Sequence, residues 1–174
     1  MTTAFISMGS NISPEKNIVE ALRLLGSHVR ILKISTVYLT EPLQGKSQPK
    51  YYNCVVKIET DIEPHDLKFD ILRPIEKKLG RKRTEDKYAS RTIDLDLIAY
   101  GDLCISTKEL VIPDPEIQKR AFLAVPLCEI EPGLQLPGWD KSIEDIADSF
   151  GDHGMIPLGD FTNILRSLLK ASCV

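Results

Sequence analysis

Apolar residues recur along this chain with two different periods, and the changes of period mark its elements. The run from Thr3 to Met8 is largely apolar and meets Gly9, Ser10 and Asn11, which predicts a buried strand ended by a turn. From Pro14 the period becomes helical: Ile18, Ala21, Leu22 and Leu25 recur at i, i+3, i+4 and i+7 ahead of Gly26, with Ser13 as N-cap and Pro14 at the first helical position. Val29 to Tyr38, rich in Val and Ile, predicts a second strand. A long loop follows between Thr40 and Pro49, and Tyr52 to Glu59 predicts a third strand. A second helix is expected from Pro64, with Leu67, Ile71, Leu72, Ile75 and Leu79 on one face until Gly80 and a kink at Pro74. Ile93 to Tyr100 gives a fourth strand that stops at Gly101 and Asp102.

The resulting order is strand, helix, strand, strand, helix, strand. That order predicts an α+β fold, a ferredoxin-like βαββαβ sandwich in which helices pack on an antiparallel sheet. Farther along lie a short strand at Leu110 to Ile112, a segment punctuated by prolines, and amphipathic stretches at Ser142 to Phe150 and Phe161 to Lys170. Gly151 to Gly159 reads as a surface loop. A length of 174 residues fits one domain, with a core over about 1–132 and a C-terminal helical extension over about 139–174.

Composition narrows the function classes. With 43% apolar and 27% charged residues the chain is globular in type, and no run of 18 apolar residues or basic leader is present, so a cytoplasmic protein without a membrane partner is expected. Cys54, Cys104, Cys128 and Cys173 are too irregularly spaced for a metal knuckle or a disulfide framework. His28, His65 and His153 fall in no nucleophilic triad pattern. A net charge of −3 argues against nucleic acid as partner. The charge is unevenly spread, however: residues 77–91 hold seven basic residues against Glu85 and Asp86, a segment that attracts a polyanion.

That basic segment runs into the most informative stretch, Arg91 to Leu97. Strand alternation sends Asp94 and Asp96 to one face, about 7 Å apart, and Ile93, Leu95 and Leu97 to the other. Two ionised carboxylates so placed disfavour each other and call for a cation or an arginine partner. Magnesium, which takes one or two carboxylates with water and substrate phosphates, suits the pair; two-metal hydrolysis of a nucleic acid would use the same pair, and a solvent-facing edge strand is the plain alternative. Arg81, Arg83, Lys87 and Arg91 enter beside it, and guanidinium forks grip phosphate oxygens in pairs. There is no Walker A sequence and no Gly-x-Gly-x-x-Gly, so a nucleotide here would bind without a P-loop.

Taken in order, several motifs resemble the bacterial 6-hydroxymethyl-7,8-dihydropterin pyrophosphokinase family of folate biosynthesis. They are Gly9 to Asn11, Tyr38 to Leu43, Tyr51 to Asn53, Glu76 with Gly80 to Arg83, Arg91 to Leu97, and Arg120 to Phe122 with Pro126 and Leu127. The resemblance implies transfer of diphosphate from ATP to the pterin hydroxymethyl group, giving AMP. It implies that Asp94 and Asp96 bind two Mg2+ ions and that Arg81 and Arg91 act in catalysis with them. It also implies that Glu76, Arg83, Arg91, Asp114 and Arg120 meet ATP, and that Thr40, Pro42, Leu43, Tyr51, Asn53, Tyr88 and Phe122 hold the pterin. Asn53 would read the ring's amide edge while Tyr51 and Phe122 sandwich it, and Tyr88 stands where the family often has a lid tryptophan. The partners implied are these small molecules, and a monomer is expected.

The chain departs from the family in three places. Pro113, Asp114 and Pro115 stand where the family carries a phosphate-facing histidine, and an acid there should repel a triphosphate. Ala89 and Ser90 replace a Gly-Pro pair, and Pro74 interrupts the second helix beside Glu76. A pterin- or nucleotide-binding homologue with lost catalysis, acting as a regulatory or partner subunit, is therefore the competing expectation.

Overall fold

Alternation of apolar and polar positions builds a sheet with a helical layer on each face. The computed structural model describes residues 1–43, 47–86 and 89–171. Its sheet is made of β1 (Thr2–Ser10), β2 (Arg30–Ile34), β3 (Tyr38–Thr40), β4 (Tyr51–Thr60), β5 (Asp94–Tyr100) and, joined through β3, a later short strand. The order is β5, β1, β4, with β2 and β3 both on the far side of β4, and every pairing is antiparallel. This is the ferredoxin-like arrangement, with α1 (Pro14–Gly26) and α2 (residues 64–78) as the two crossover helices.

Where the pattern predicted one strand from Val29 to Tyr38, the chain makes two. Pairing with β4 loses register between Ile31 and Lys33 and breaks at Ser35. The fully buried Ser35 bridges the gap: its N–H donates to the Val55 carbonyl at 2.9 Å, and its Oγ accepts from the Val55 N–H at 2.9 Å. A hydroxyl thus stands in for the missing backbone acceptor and satisfies the Val55 N–H.

Both crossover helices depart locally from expectation. Ser13 precedes α1 in a left-handed conformation and makes no side-chain cap; instead Asn17 Nδ2 donates to the Ile12 carbonyl at 2.6 Å. The second helix, α2, runs through Pro64–Asp66, a π-helical stretch at Leu67–Leu72, and Arg73–Lys78. Pro74 has no N–H to donate and its ring crowds the carbonyl four residues back. The chain relieves this by widening one turn, so that the Arg73 N–H donates to Lys68.

Beyond β5 come β6 (Ile105–Ser106) paired with β7 (Val111–Ile112), a 3-10 turn at Pro115–Gln118, α3 (Ala121–Ile130) and α4 (Ile143–Asp148). The segment expected to be a surface loop contains β8 (Ile156–Pro157), which extends the sheet beside Tyr38 and Leu39, and α5 (Gly159–Ala171) follows. Ala4, Ile6 and Met8 of β1 face a core closed by α1, α2 and two α5 residues, Phe161 and Leu165. Phe5, Val55, Ile98 and Ala99 face a second core closed by α3 and by Ile143 and Ile146 of α4. The C-terminal extension therefore packs on both faces. It is tied down by polar contacts too: Thr162 Oγ1 accepts from the Val37 N–H at 2.9 Å, and Arg166 pairs with Glu129 at 3.1 Å. None of the helices among the described residues is long and apolar enough to cross a membrane.

Leu165 is wholly buried in the first core, so Leu165→Ala should cost about 2–5 kcal/mol in urea denaturation. A loss well under 1 kcal/mol would show that α5 is not integral to that core.

Candidate functional site

One face of the sheet changes character partway along. Phe5, Val55, Ile98 and Ala99 are apolar and covered by α3 and α4, whereas farther along the same face β1 carries Ser7 and Gly9, β4 carries Asn53 and Tyr51, and β5 carries Asp96 and Asp94. The register sets them in rows: Asp96, Ser7 and Val55 lie side by side, and Asp94, Gly9 and Asn53 form the next row. Where helical cover ends, the sheet opens into a cavity of about 290 Å3.

Ten expected site residues line this cavity. They are Thr40, Leu43, Tyr51, Asn53 and Phe122, the last from the start of α3, with Arg91, Asp94, Asp96, Asp114 and Arg120. Among the described residues, Pro42 is half-buried in the loop after β3 and stays off the wall. Arg81, Arg83 and Arg91 line an adjoining cationic hollow of about 200 Å3 together with Lys82. Glu76 reaches neither cavity, and Tyr88 lies outside the described residues.

Glu76 instead forms the foundation of the site. It is 3% exposed, on α2, and its carboxylate accepts from Arg81 at 3.1 Å, from Arg83 at 2.8 Å and from the Leu95 N–H at 2.9 Å. Arg81 also donates to the Ile93 carbonyl at 3.1 Å and pairs with Asp94, while Arg91 pairs with the other oxygen of Asp94. Of the two partners foreseen for the carboxylate pair, a cation or an arginine, Asp94 has the arginines.

Burial alone would raise the Asp94 carboxyl, but the Arg81 and Arg91 guanidiniums outweigh it and hold the group below the ordinary carboxylate value. Burial raises Glu76, with the Leu95 amide and Arg81 pulling the other way. Asp96 is different. Among the described residues it has no hydrogen-bond or ion-pair partner, and although solvent reaches it through the mouth of the cleft, protein surrounds it on the other sides. Loss of solvation, then the charges of Asp94, Glu76 and Asp114, push it up to about 7. An unpartnered carboxylate beside three others is short of positive charge, and its oxygen donors match what magnesium accepts, so Asp96 could hold a divalent cation, with Asp94 joining only through oxygens it already shares with Arg81 and Arg91.

Asp114 has a structural task beside its place on the wall. Its Oδ1 accepts from the Glu116 N–H at 2.9 Å, capping the turn at Pro115–Gln118, and its own N–H donates to the Ile98 carbonyl at 2.8 Å. Burial, opposed by that cap bond, raises its carboxyl. The turn carries Glu116 to the wall, where its carboxylate accepts from Arg120 Nε at 3.0 Å.

Sequence reasoning missed Ser7, Gly9, Glu41, Gln48, Glu116 and Leu123 as wall residues. Ser7 was legible as the polar break in an apolar strand; Glu41 and Gln48 sit in a loop where no spacing rule applies. Gly9 to Asn11 was read as a turn, yet Gly9 and Ser10 continue β1. Ser10 and Asn11 then anchor the approach to the acidic strand: Ser10 Oγ donates to the Thr92 carbonyl at 2.5 Å, and Asn11 Oδ1 accepts from the Arg91 N–H at 2.8 Å.

Comparison with known proteins adds an independent finding. Residues 5–132 match the model of a family described as 7,8-dihydro-6-hydroxymethylpterin-pyrophosphokinase. A 2-amino-4-hydroxy-6-hydroxymethyldihydropteridine pyrophosphokinase of Haemophilus influenzae is 38% identical over 161 residues, 91% of this chain and 99% of its own length. The one from Aquifex aeolicus is 36% identical over 146 residues, 83% of this chain and 90% of its own. A folic acid synthesis protein of Pneumocystis carinii is 36% identical over 159 residues, but the chain spans 21% of that larger protein. A crystal structure of HPPK-DHPS in complex with substrates superposes with a TM-score of 0.71 at 12% identity. It covers 88% of this chain and 46% of the other, and it shows a shared fold.

The raised Asp96 carboxyl has a signed consequence in metal-free buffer. Between its ordinary value of 3.8 and about 7 the fold binds more protons than the unfolded chain, so this group's contribution to stability falls as pH rises. Asp96→Asn removes that contribution, and denaturation at about pH 5 and about pH 7.5 should show the variant gaining on the parent at the higher pH. Parallel pH curves for the two proteins would mean that Asp96 is ionised throughout.

Proposed function

The chain belongs to the 7,8-dihydro-6-hydroxymethylpterin-pyrophosphokinase family, and we propose that the cleft on its sheet is where diphosphate passes from ATP to 6-hydroxymethyl-7,8-dihydropterin. The protein is an ATP-dependent diphosphotransferase of folate biosynthesis that releases AMP and the pterin diphosphate. The competing expectation of a regulatory subunit finds no support, since relatives aligned over most of their length are named as pyrophosphokinases.

The observation that carries the placement is the convergence of arginines, a carboxylate pair, an amide and two aromatic rings at one cavity. In the reaction the hydroxymethyl oxygen bonds to the β-phosphorus while the bond from that phosphorus to the α-bridging oxygen breaks, and AMP leaves with the electron pair. Arg91 and Arg120 grip phosphate oxygens from the wall; Arg81 and Arg83, presented by Glu76, approach from the adjoining hollow. Tyr51 and Phe122 stack the flat pterin, and Asn53 reads its amide edge. Asp96 lines the cavity floor beside Asp94 and would take the hydroxyl proton as the oxygen attacks. Asp94 and Asp96 would hold two Mg2+ ions, which supply charge neutralisation on the phosphates. Positioning and electrostatics carry most of such a transfer. We also propose that the protein works as a monomer in the cytoplasm.

Two outcomes follow. Asp96→Ala should lower AMP formation from ATP and hydroxymethyldihydropterin by at least about 100-fold while the circular dichroism spectrum is unchanged; near-parental turnover would remove Asp96 from the chemistry. Asp114→Asn keeps the Oδ1 acceptor that caps the turn and removes a negative charge facing the triphosphate. Calorimetry with Mg2+ and a non-hydrolysable ATP analogue should find about two- to tenfold tighter binding, whereas unchanged affinity would mean that position 114 does not meet the phosphates.

A further inference from the structure

Gly9 sits in the middle of the cavity floor, between Asp94 on one neighbouring strand and Asn53 on the other. It lies in ordinary extended strand backbone and is not among the positive-φ glycines, so conformational freedom does not explain a glycine there. Space does. A Cβ built at position 9 would lie 2.7 Å from Asn53 Oδ1, and the next atom it would approach is Asn53 Cγ at 3.8 Å. The clash is thus with the Asn53 amide alone.

That amide is also held from its other end. Asn53 Nδ2 donates to Thr40 Oγ1 at 2.7 Å, and Thr40 is 7% exposed. A primary amide has two N–H donors and a carbonyl acceptor. With one donor committed to Thr40, one N–H and the carbonyl acceptor of this cavity-lining residue remain, and a donor with an acceptor is the complement of a lactam edge bearing one C=O and one N–H. Any side chain at position 9 would force the amide plane to turn, breaking the Thr40 bond or rotating the carbonyl away from the cavity.

We infer that Gly9 is a specificity-setting positioning residue: by lacking a side chain it lets Thr40 fix the Asn53 amide in the orientation that selects a lactam-edged ring over its 2,4-diamino counterpart. The inference rests on the reading of Asn53 as the pterin-recognising group. It goes beyond that reading in assigning the selectivity to a residue that need not touch the ligand's polar edge.

The test is a double-mutant cycle with Gly9→Ala and Asn53→Ala. The readouts are binding of a pterin and of the matching 2,4-diaminopteridine, each with Mg2+ and a non-hydrolysable ATP analogue present, and thermal unfolding of all four proteins. Gly9→Ala should weaken pterin binding about tenfold and shrink the preference over the diamino ring, as expected for one or two lost hydrogen bonds. In the Asn53→Ala background the same change should cost no further affinity, because nothing remains for the Cβ to strike. In the melts, Gly9→Ala should lower the midpoint with Asn53 present and leave it unmoved once Asn53→Ala has removed the amide, a comparison that reads the coupling even where pterin binding is lost. Equal losses in both backgrounds, or parental selectivity in Gly9→Ala, would overturn the inference. Parental pterin affinity in Asn53→Ala with the melting coupling intact would instead sink the reading of Asn53 and leave Gly9 as its steric partner.

Discussion

The site depends on how the buried Glu76 and the half-buried Asp94 are neutralised. Glu76 on α2 and Asp94 at the start of β5 share Arg81 between them; Arg83 completes the charge of the first and Arg91 that of the second. A buried carboxylate left alone is costly, so these pairs are constrained to form together, and in forming they fasten the basic segment to the end of the sheet. Without Glu76 the Leu95 amide would lose its acceptor, Arg81 would keep only Asp94 and the Ile93 carbonyl, and Arg83 would lose its pairing to the sheet end.

Asp96 is the residue this compensation leaves out. Its neighbour Asp94 has two guanidiniums, whereas Asp96 faces other carboxylates across the cleft floor. A surplus of negative charge at the floor beside a surplus of positive charge at the rim is an arrangement a metal-bound triphosphate would satisfy at both ends. The rings of Tyr51 and Phe122 in the same cavity wall suit a flat ring.

The C-terminal extension belongs to this architecture as well. By adding β8 to β3 and laying α5 against the first core, it braces the short strand whose last residue, Thr40, holds the Asn53 amide. The solved HPPK-DHPS chain that shares the fold is larger, and the match covers 46% of it.

What the sequence determined by itself is what repeats locally: the period-2 and period-3.6 patterns that made the βαββαβ order, the alternation that sent Asp94 and Asp96 to one face, and the ordered motifs that pointed to the family. What the pattern could not settle depends on partners distant along the chain. Ser35 splits a strand because Val55 lies across from it. The Gly9 to Asn11 segment reads as a turn until β4 and β5 pair with it, and Glu76 turns from a ligand contact into a foundation once Arg81, Arg83 and the Leu95 amide close around it. Asp114 likewise gains its capping role from the turn that follows it. Side-chain period is a property of one segment, whereas desolvation, charge pairing and steric clearance are properties of segments brought together, and those were decided by the tertiary structure alone.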